Sequence, residues 1–318
     1  MKGKTEYTAL VILNYNNYED TFNCIESVEK YNTSPVKIII VDNGSRREGT
    51  VETIDRFLNE RYAERYQRID EHSELTELPY MTFVVSKTND GYACGNNKGL
   101  KFVTCDETIN RVLILNNDVL FVEDIIGKLI DYQESLPQCA IISPALYKKG
   151  MKEYDLNCAR LNQESWDLIL TYLFNFRNVF GVIKRSEHRR YLLLKEHDKK
   201  SLLEVELPSG SCMMFRKELM KRITIFDPHT FLYFEENILF KQISKVGLKN
   251  YVAMDLKCIH LGASSTSKSS NTFIARVGVK SMDYYFKTYC NLTFTQRIMW
   301  KIAKINFSFK LFIQDKLK

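Results

Sequence analysis

The sequence predicts an α/β domain built on a central parallel sheet, and three observations carry the prediction. Short apolar runs recur down the first 146 positions, each ending on small polar residues. Segments of helical spacing lie between them, so strand, polar loop and helix alternate four times, the rhythm of βαβ units. With 318 residues, 45% hydrophobic and 26% charged, the chain is globular and can bury a large core.

Taken in order, Thr8 to Leu13 is the first strand, ended by Asn14-Tyr15-Asn16-Asn17. Tyr18 to Tyr31 reads as a helix, with Phe22, Ile25 and Val28 on one apolar face. Lys37 to Val41 is the second strand and stops on Asp42-Asn43-Gly44-Ser45; Thr50 to Leu58 is helical. The charged stretch from Glu60 to Glu77 lacks apolar periodicity and reads as a surface excursion. Met81 to Val85 is the third strand, followed by the glycine-rich stretch Asn89 to Gly99 and a helix to about Val103. Arg111 to Leu115 is the fourth strand; it reads as buried on both faces and stops on Asn116-Asn117-Asp118. Val122 to Ser135 is a helix, and Cys139 to Ile142 a fifth short strand ended by Ser143-Pro144.

After Leu146 the rhythm fails. Arg160 to Ser201 contains aromatics and a basic cluster, Lys184 to Arg190, without a clear period, and reads as a helical lid or an acceptor-side insertion. Strand-like segments return at Glu204 to Leu207 and Ser211 to Phe215. A helix, Glu235 to Val246, precedes a strand at Asn250 to Met254 and the segment Ile259-His260-Leu261-Gly262.

Composition excludes several classes. No basic segment followed by an apolar one opens the chain, and no uncharged run of 18 or more apolar residues occurs, so the sequence points to a cytoplasmic protein without a membrane-spanning helix. Eight cysteines lie scattered without a C-x-x-C pair, which suits reduced, buried residues rather than a zinc site or disulfide framework. The net charge of +6 is concentrated from Phe273 onward, where nine Lys or Arg face two Asp. A nucleic-acid-binding body would spread that charge over one face of the fold, so nucleic acid is not an expected partner. In the tail, Arg297, Lys301 and Lys304 form a basic stripe beside Ile298, Met299, Ile302, Ile305, Phe309 and Phe312. Such a helix suits peripheral contact with an anionic membrane, or docking on its own domain or on the partner in a homodimer.

Three strand ends carry acids: Asp42, Asp90 and Asp118. In an open α/β sheet the crevice beyond the strand ends is where ligands bind. Turn chemistry is the structural alternative, and Asp42 in particular suits a loop cap. Three carboxylates in one crevice repel one another unless something positive lies between them, which a nucleotide with a divalent cation provides. Neither a P-loop Gly-Lys-Ser/Thr nor a G-x-G-x-x-G is present. Glu235-Glu236 stands at a predicted helix start, where acids are also favoured by the helix dipole. Lys98 reads equally as a surface residue or a phosphate partner.

The segments Val11-Ile12-Leu13-Asn14-Tyr15-Asn16, Val41-Asp42-Asn43-Gly44-Ser45, Asn89-Asp90-Gly91-Tyr92-Ala93 and Leu115-Asn116-Asn117-Asp118 resemble, in order, the motifs of family 2 glycosyltransferases, nearest to rhamnosyltransferase-like enzymes of bacterial surface polysaccharide assembly. Ser209-Gly210-Ser211, Phe231 to Glu236, and His260-Leu261-Gly262 with Ser264 extend the resemblance over about residues 7 to 290. The resemblance implies a GT-A fold, Rossmann-like with a mixed central sheet and helices on both faces. It also implies an inverting reaction, a nucleoside-diphosphate sugar donor, a glycan or lipid-linked glycan acceptor, and Mg²⁺ or Mn²⁺.

Position by position, the resemblance implies that Asn14 and Tyr15 line the nucleotide and that Asp42 and Asp90 contact base and ribose. Gly91, Asn97 and Asn117 belong to the same donor set. Asp118 corresponds to the metal ligand of a D-x-D reduced to one carboxylate, and His260 to a histidine near metal or diphosphate. Glu235-Glu236 corresponds to a Glu-Asp pair whose second member is the usual base; Glu in place of Asp leaves open which of the two reaches the acceptor. The implied organisation is a GT-A domain over residues 1 to 270, with a donor half to about 146 and an acceptor half from about 147 to 270, and a basic, aromatic helical extension from 271 to 318. Rhamnose from a dTDP donor is the expected sugar. A UDP-hexose or UDP-hexosamine donor and a catalytically inactive sugar-nucleotide-binding subunit are the alternatives.

Overall fold

In the computed structural model, which describes residues 5–174, 201–262 and 271–316, the apolar runs assemble into one ten-stranded mixed sheet. Strands β1 (Tyr7–Asn14), β2 (Val36–Asn43), β3 (Tyr66–Asp70), β4 (Met81–Ser86) and β5 (Ile109–Asn116) form a parallel block in the order β3-β4-β2-β1-β5. The sheet continues through β11 (Cys212–Arg216), β7 (Cys139–Tyr147), β12 (Lys249–His260) and β6 (Val119–Phe121), with β9 (Leu202–Val205) also on β12. Strand β11 runs antiparallel between β5 and β7. A separate antiparallel pair joins β8 (Ala159–Arg160) to β10 (Leu207–Pro208).

Alternation of side chains along the strands decides which layer each residue enters. Leu10, Ile12, Ile38, Ile40, Leu113 and Leu115 point to one face, where α1 (Tyr18–Tyr31), α2 (Thr50–Tyr62) and α4 (Ile126–Ser135) cover them. Ala9, Val11, Ile39, Val41, Val112 and Ile114 point to the other, under α3 (Gly91–Cys105) and α6 (Glu235–Lys245). Beyond that layer, α5 (Ser165–Phe174), α7 (Asn271–Tyr289) and α8 (Phe294–Lys316) make a third cluster, which includes Ile169, Ile238, Tyr285, Phe286 and Trp300. Among the described residues, no helix is long and apolar enough to cross a membrane.

Several sequence expectations change. The excursion from 60 to 77 contains β3, an edge strand in which only Ile69 is buried, so its alternation was too weak to read. The glycine-rich stretch is not a loop before a helix; Gly91 to Gly99 is the first half of α3 itself. The fifth strand runs on through Ser143-Pro144 to Tyr147. Pro144 is tolerated because it pairs with Ala253 where the β7–β12 register shifts. The two segments around 250 and 260 are one strand, β12, and the strand expected at 204 to 207 is β9, ending at Val205. Helix α4 starts at Ile126, since Val119–Phe121 first forms β6. Of the segment from 160 to 201, α5 is described; Lys184 to Arg190 and Ser264 lie outside the described residues.

The glycines of α3 set the depth of the crevice above the sheet. A Cβ on Gly99 would lie 2.6 Å from Val11 Cγ1, and one on Gly95 would lie 2.7 Å from Leu13 Cδ1. The helix therefore lies directly on β1 and β2, and Asp90 at its start is held at the strand ends. Gly99→Val is expected to destabilise the fold by about 1–3 kcal/mol through overpacking against Val11 and Val41. A thermal melt of the variant against the parent protein reads this directly.

Candidate active site

Strand β1 has β2 on one side and β5 on the other, so the strand order reverses there and a crevice opens beyond Asn14 and Asn116. The side chains at its floor are committed to one another. Asp42 is fully buried; its carboxylate accepts hydrogen bonds from Asn14 Nδ2 (2.8 Å), Ser45 Oγ (2.6 Å) and the Ser45 N–H (2.9 Å). Asn14 Oδ1 accepts from Thr21 Oγ1 at 3.0 Å, and Asn117 Nδ2 donates to Thr21 Oγ1 and the Asn17 carbonyl, each at 3.0 Å. Asn14, Asp42 and Asn117 thus form an interior clamp across the ends of β1, β2 and β5. Asn97 donates to the Phe226 carbonyl at 2.8 Å, and Gly91, at φ +85°, lies where any side chain would strike the Phe231 carbonyl. Tyr15 is half-buried beside this clamp.

Asp90 is exposed at the crevice, whereas Asp118 is buried. Asp90 is paired with Lys98 at 2.6 Å, and that hydrogen bond holds its carboxyl below the usual range. Lys98 also reaches Glu71 at 3.1 Å and is largely buried, so it is not a free surface residue. Asp118 faces His260 Nε2 at 3.5 Å, while His260 Nδ1 meets Asp155 Oδ2 at 2.5 Å. Burial acts to lower the pKa of His260, but hydrogen bonding to Asp118 and Asp155 outweighs it and pushes the value up to about 10. The repulsion expected among three strand-end acids is therefore relieved within the protein: Asp42 by N–H and O–H donors, Asp90 by Lys98, Asp118 by His260.

The second half of the site grows from an unusual turn. Tyr233 and Phe234 both have φ of 72°, a left-handed conformation that costs side-chain-bearing residues about 1–3 kcal/mol each. This reversal starts α6 at Glu235 and divides the two glutamates. Glu235 is buried with Oε1 lacking a partner; burial first, then the charge of Glu236, pushes its pKa up to about 8. Glu236 instead lines a cleft of about 450 Å³ together with Arg160, Tyr172, Tyr233 and Asn237. Its Oε1 accepts from the Gly210 N–H at 3.1 Å and lies 3.2 Å from Arg160 Nη2.

The segment Ser209 to Ser211 joins both halves. The Gly210 carbonyl accepts from Tyr92 Oη at 2.7 Å, Ser211 Oγ lies 3.4 Å from His260 Nε2, and Asn116 Nδ2 reaches Ser211 Oγ at 3.3 Å. Burial raises the Tyr92 phenol well above its ordinary range, so it stays a neutral donor. Sequence reasoning assigned no role to Asp155, Arg160 or Tyr92. Tyr92 stands inside a quoted motif and could have been found; Asp155 and Arg160 lie where periodicity had failed, and only folding brings them to His260 and Glu236.

The buried Glu235 has a pH signature. Its folded-state pKa of about 8 exceeds the ordinary 4.5, so between those values the folded state keeps a proton that the unfolded chain has lost. Its contribution to stability is full below the ordinary value and is lost as pH rises towards the folded one. Glu235→Gln is expected to remove that loss, the parent falling by up to about 1.4 kcal/mol per pH unit relative to the variant. Thermal midpoints of both proteins from about pH 5 to about pH 8 give the comparison.

A family model described as glycosyl transferase family 2 matches residues 9–224. The match spans Asn14, Asp42, Asp90 and Asp118 and ends before Glu235, Glu236 and His260. No curated protein matches the sequence. Among solved structures, the crystal structure of GalNAc-T7 with UDP, GalNAc and Mn²⁺ resembles the fold with a TM-score of 0.58 at 12% identity. The likeness covers 90% of this chain and 50% of that one, so the chain spans about half the length of that protein.

Proposed function

The chain belongs to glycosyl transferase family 2, and from that premise we propose that it moves a sugar from a nucleoside-diphosphate donor to a hydroxyl of a glycan or lipid-linked glycan, with inversion at the anomeric carbon. The mixed sheet with helices on both faces is a GT-A fold, and the crevice beyond β1 and β5 is the proposed donor site. The observation that carries the reading is the division of the glutamate pair: Glu236 opens on the cleft while Glu235 is sealed in the core.

In the proposed reaction, the acceptor hydroxyl enters the cleft and Glu236 takes its proton as the oxygen attacks the anomeric carbon. The new carbon–oxygen bond forms as the bond to the diphosphate oxygen breaks, and the diphosphate leaves with the electron pair. Arg160 and the Gly210 N–H hold the Glu236 carboxylate in place. Glu235, as the neutral neighbour, adds no second negative charge beside it. Tyr15, Asp90 and the backbone around Gly91 border the proposed donor site. Asn14, Asp42, Asn97 and Asn117 act through their mutual and backbone hydrogen bonds, which keep that site in shape.

The residues fit a divalent ion in part. Asp118 offers a carboxylate oxygen, and His260, oriented through Nδ1 by Asp155, offers Nε2 once that nitrogen loses its proton. Among the described residues no three His, Cys, Asp or Glu side chains form a ready metal cage, so oxygens of the donor diphosphate would complete the ligand set. When bound, Mg²⁺ or Mn²⁺ supplies charge neutralisation at the departing diphosphate.

The proposed sugar is rhamnose on dTDP, supported by the resemblance of the sequence motifs to those of rhamnosyltransferase-like enzymes. A UDP-linked hexosamine is the second reading, favoured by the fold match to a protein crystallised with UDP and GalNAc. A thermal-shift panel of dTDP, UDP, GDP and CDP, each with and without Mn²⁺, separates them. A nucleotide at 100 times its dissociation constant is expected to stabilise the protein by about 2.7 kcal/mol. Stabilisation by dTDP supports rhamnose, stabilisation by UDP the second reading, and no shift with any nucleotide overturns the donor site. Glu236→Gln is expected to lower turnover by roughly 10²- to 10⁴-fold while the nucleotide shift persists. Turnover at the parental level would remove Glu236 as the base, and a parent protein that binds donor without transferring would be the inactive subunit.

A further inference from the structure

Helix α8 has two apolar faces, and among the described residues the domain's core cluster takes up only one. Trp300, Ala303 and Leu311 are buried, with Trp300 and Ala303 packed in the cluster that α5 and α7 share. Trp300 Nε1 donates to Asp283 Oδ1 at 2.8 Å and Lys304 Nζ lies 2.5 Å from the same oxygen, which fixes the rotation of α8 against α7. The rotation so fixed turns Phe294, Ile298, Ile302, Ile305 and Phe309 outward. Phe294 is 80% exposed, Ile305 69% and Phe309 64%. At 100° per residue these five positions fall within an arc of roughly 80°, opposite the buried side chains. Arg297, Lys301 and Lys304 project along one flank, between the exposed arc and the docked face.

We propose that this outward face of α8 is a docking surface for an anionic membrane, with the apolar arc entering the boundary between headgroups and acyl chains. Charge selects this occupant over a second copy of the chain. Along α8 itself Arg297, Lys301 and Lys304 run beside the exposed arc, so pairing two copies through this face would oppose like charges. Anionic headgroups complement the same flank. The helix lies along the bilayer surface, since it is not apolar enough to cross.

The surface is joined to the cleft through one side chain. Tyr172 of α5 lines the cleft beside Glu236 and packs edge-on against the rings of Trp300 and Phe307, with centroids 6.0 and 5.0 Å apart. Tyr172 meets α8 on its docked face, so docking would hold the cleft about one helix diameter, roughly 10 Å, from the membrane, where a lipid-carried acceptor would be found; this last clause alone rests on the glycosyl transfer reading.

The test is flotation of the full chain with vesicles of phosphatidylcholine, alone or mixed with phosphatidylglycerol. The chain is expected to float with the mixed vesicles, less so as salt rises, and to remain behind with phosphatidylcholine alone. Ile305→Glu combined with Phe309→Glu is expected to abolish flotation without changing the thermal midpoint, because both side chains are exposed. Should that variant fold poorly, Lys301→Glu is expected to weaken partitioning roughly tenfold. No flotation, flotation independent of phosphatidylglycerol, or a dimer in light scattering that Phe309→Glu splits would overturn the proposal. Flotation does not depend on turnover, so its failure and a failure of sugar transfer are read separately.

Discussion

Asp42 has no exposed surface, and the need to satisfy a carboxylate inside the protein organises the rest of the site. The donors lie on different segments: Asn14 ends β1, and Ser45 follows β2. Asn14 is occupied in turn by Thr21 of α1 and by Asn117 beyond β5, so one buried charge ties three parallel strands and a helix together at their ligand-facing ends. Hydrogen bonds to a charged acceptor are stronger than those between neutral groups, and an unpaired buried charge is costly. The crevice is therefore rigid at its floor, and the groups proposed to act, Asp90, Asp118 and Glu236, are each held by a basic partner, Lys98, His260 and Arg160 in turn.

A second constraint is the left-handed pair Tyr233 and Phe234. Non-glycine residues adopt that conformation only where surrounding structure enforces it. Here the enforcement is visible on both sides. The Tyr92 N–H donates to the Phe231 carbonyl at 2.8 Å, and Ser281 of α7 donates to the Leu232 carbonyl at 2.9 Å. Releasing the turn would move the first turn of α6, and with it the carboxyl pair of which Glu235 is buried and Glu236 lines the cleft.

The C-terminal helices belong to the same chain of dependence. Ile238 of α6 packs among Met282, Phe286 and Trp300, while Leu239 and Ile243 of the same helix pack on the sheet. Helix α6 is thereby held between two cores. The cleft beside Glu236 takes Tyr172 and Gly278 from α5 and α7, so the helices that follow the sheet shape this cleft rather than merely covering it.

The sequence by itself determined the α/β class, the first two strands and their helices, and the strand ends carrying Asn14, Asp42, Asp90 and Asp118, because periodicity and turn chemistry are local properties. It also marked Glu235-Glu236 and His260 through the order of the motifs. It misread β3, whose single buried residue left no pattern, and the glycine-rich start of α3, where glycine serves close packing on Val11 and Leu13 rather than a loop. Only the tertiary structure decided which glutamate is sealed and which opens on the cleft, that Asp155 and Arg160 join the site, and which face of α8 is turned outward. Those outcomes depend on pairs such as His260 with Asp155, 105 positions apart, and Arg160 with Glu236, and no local pattern encodes which distant partner a side chain meets.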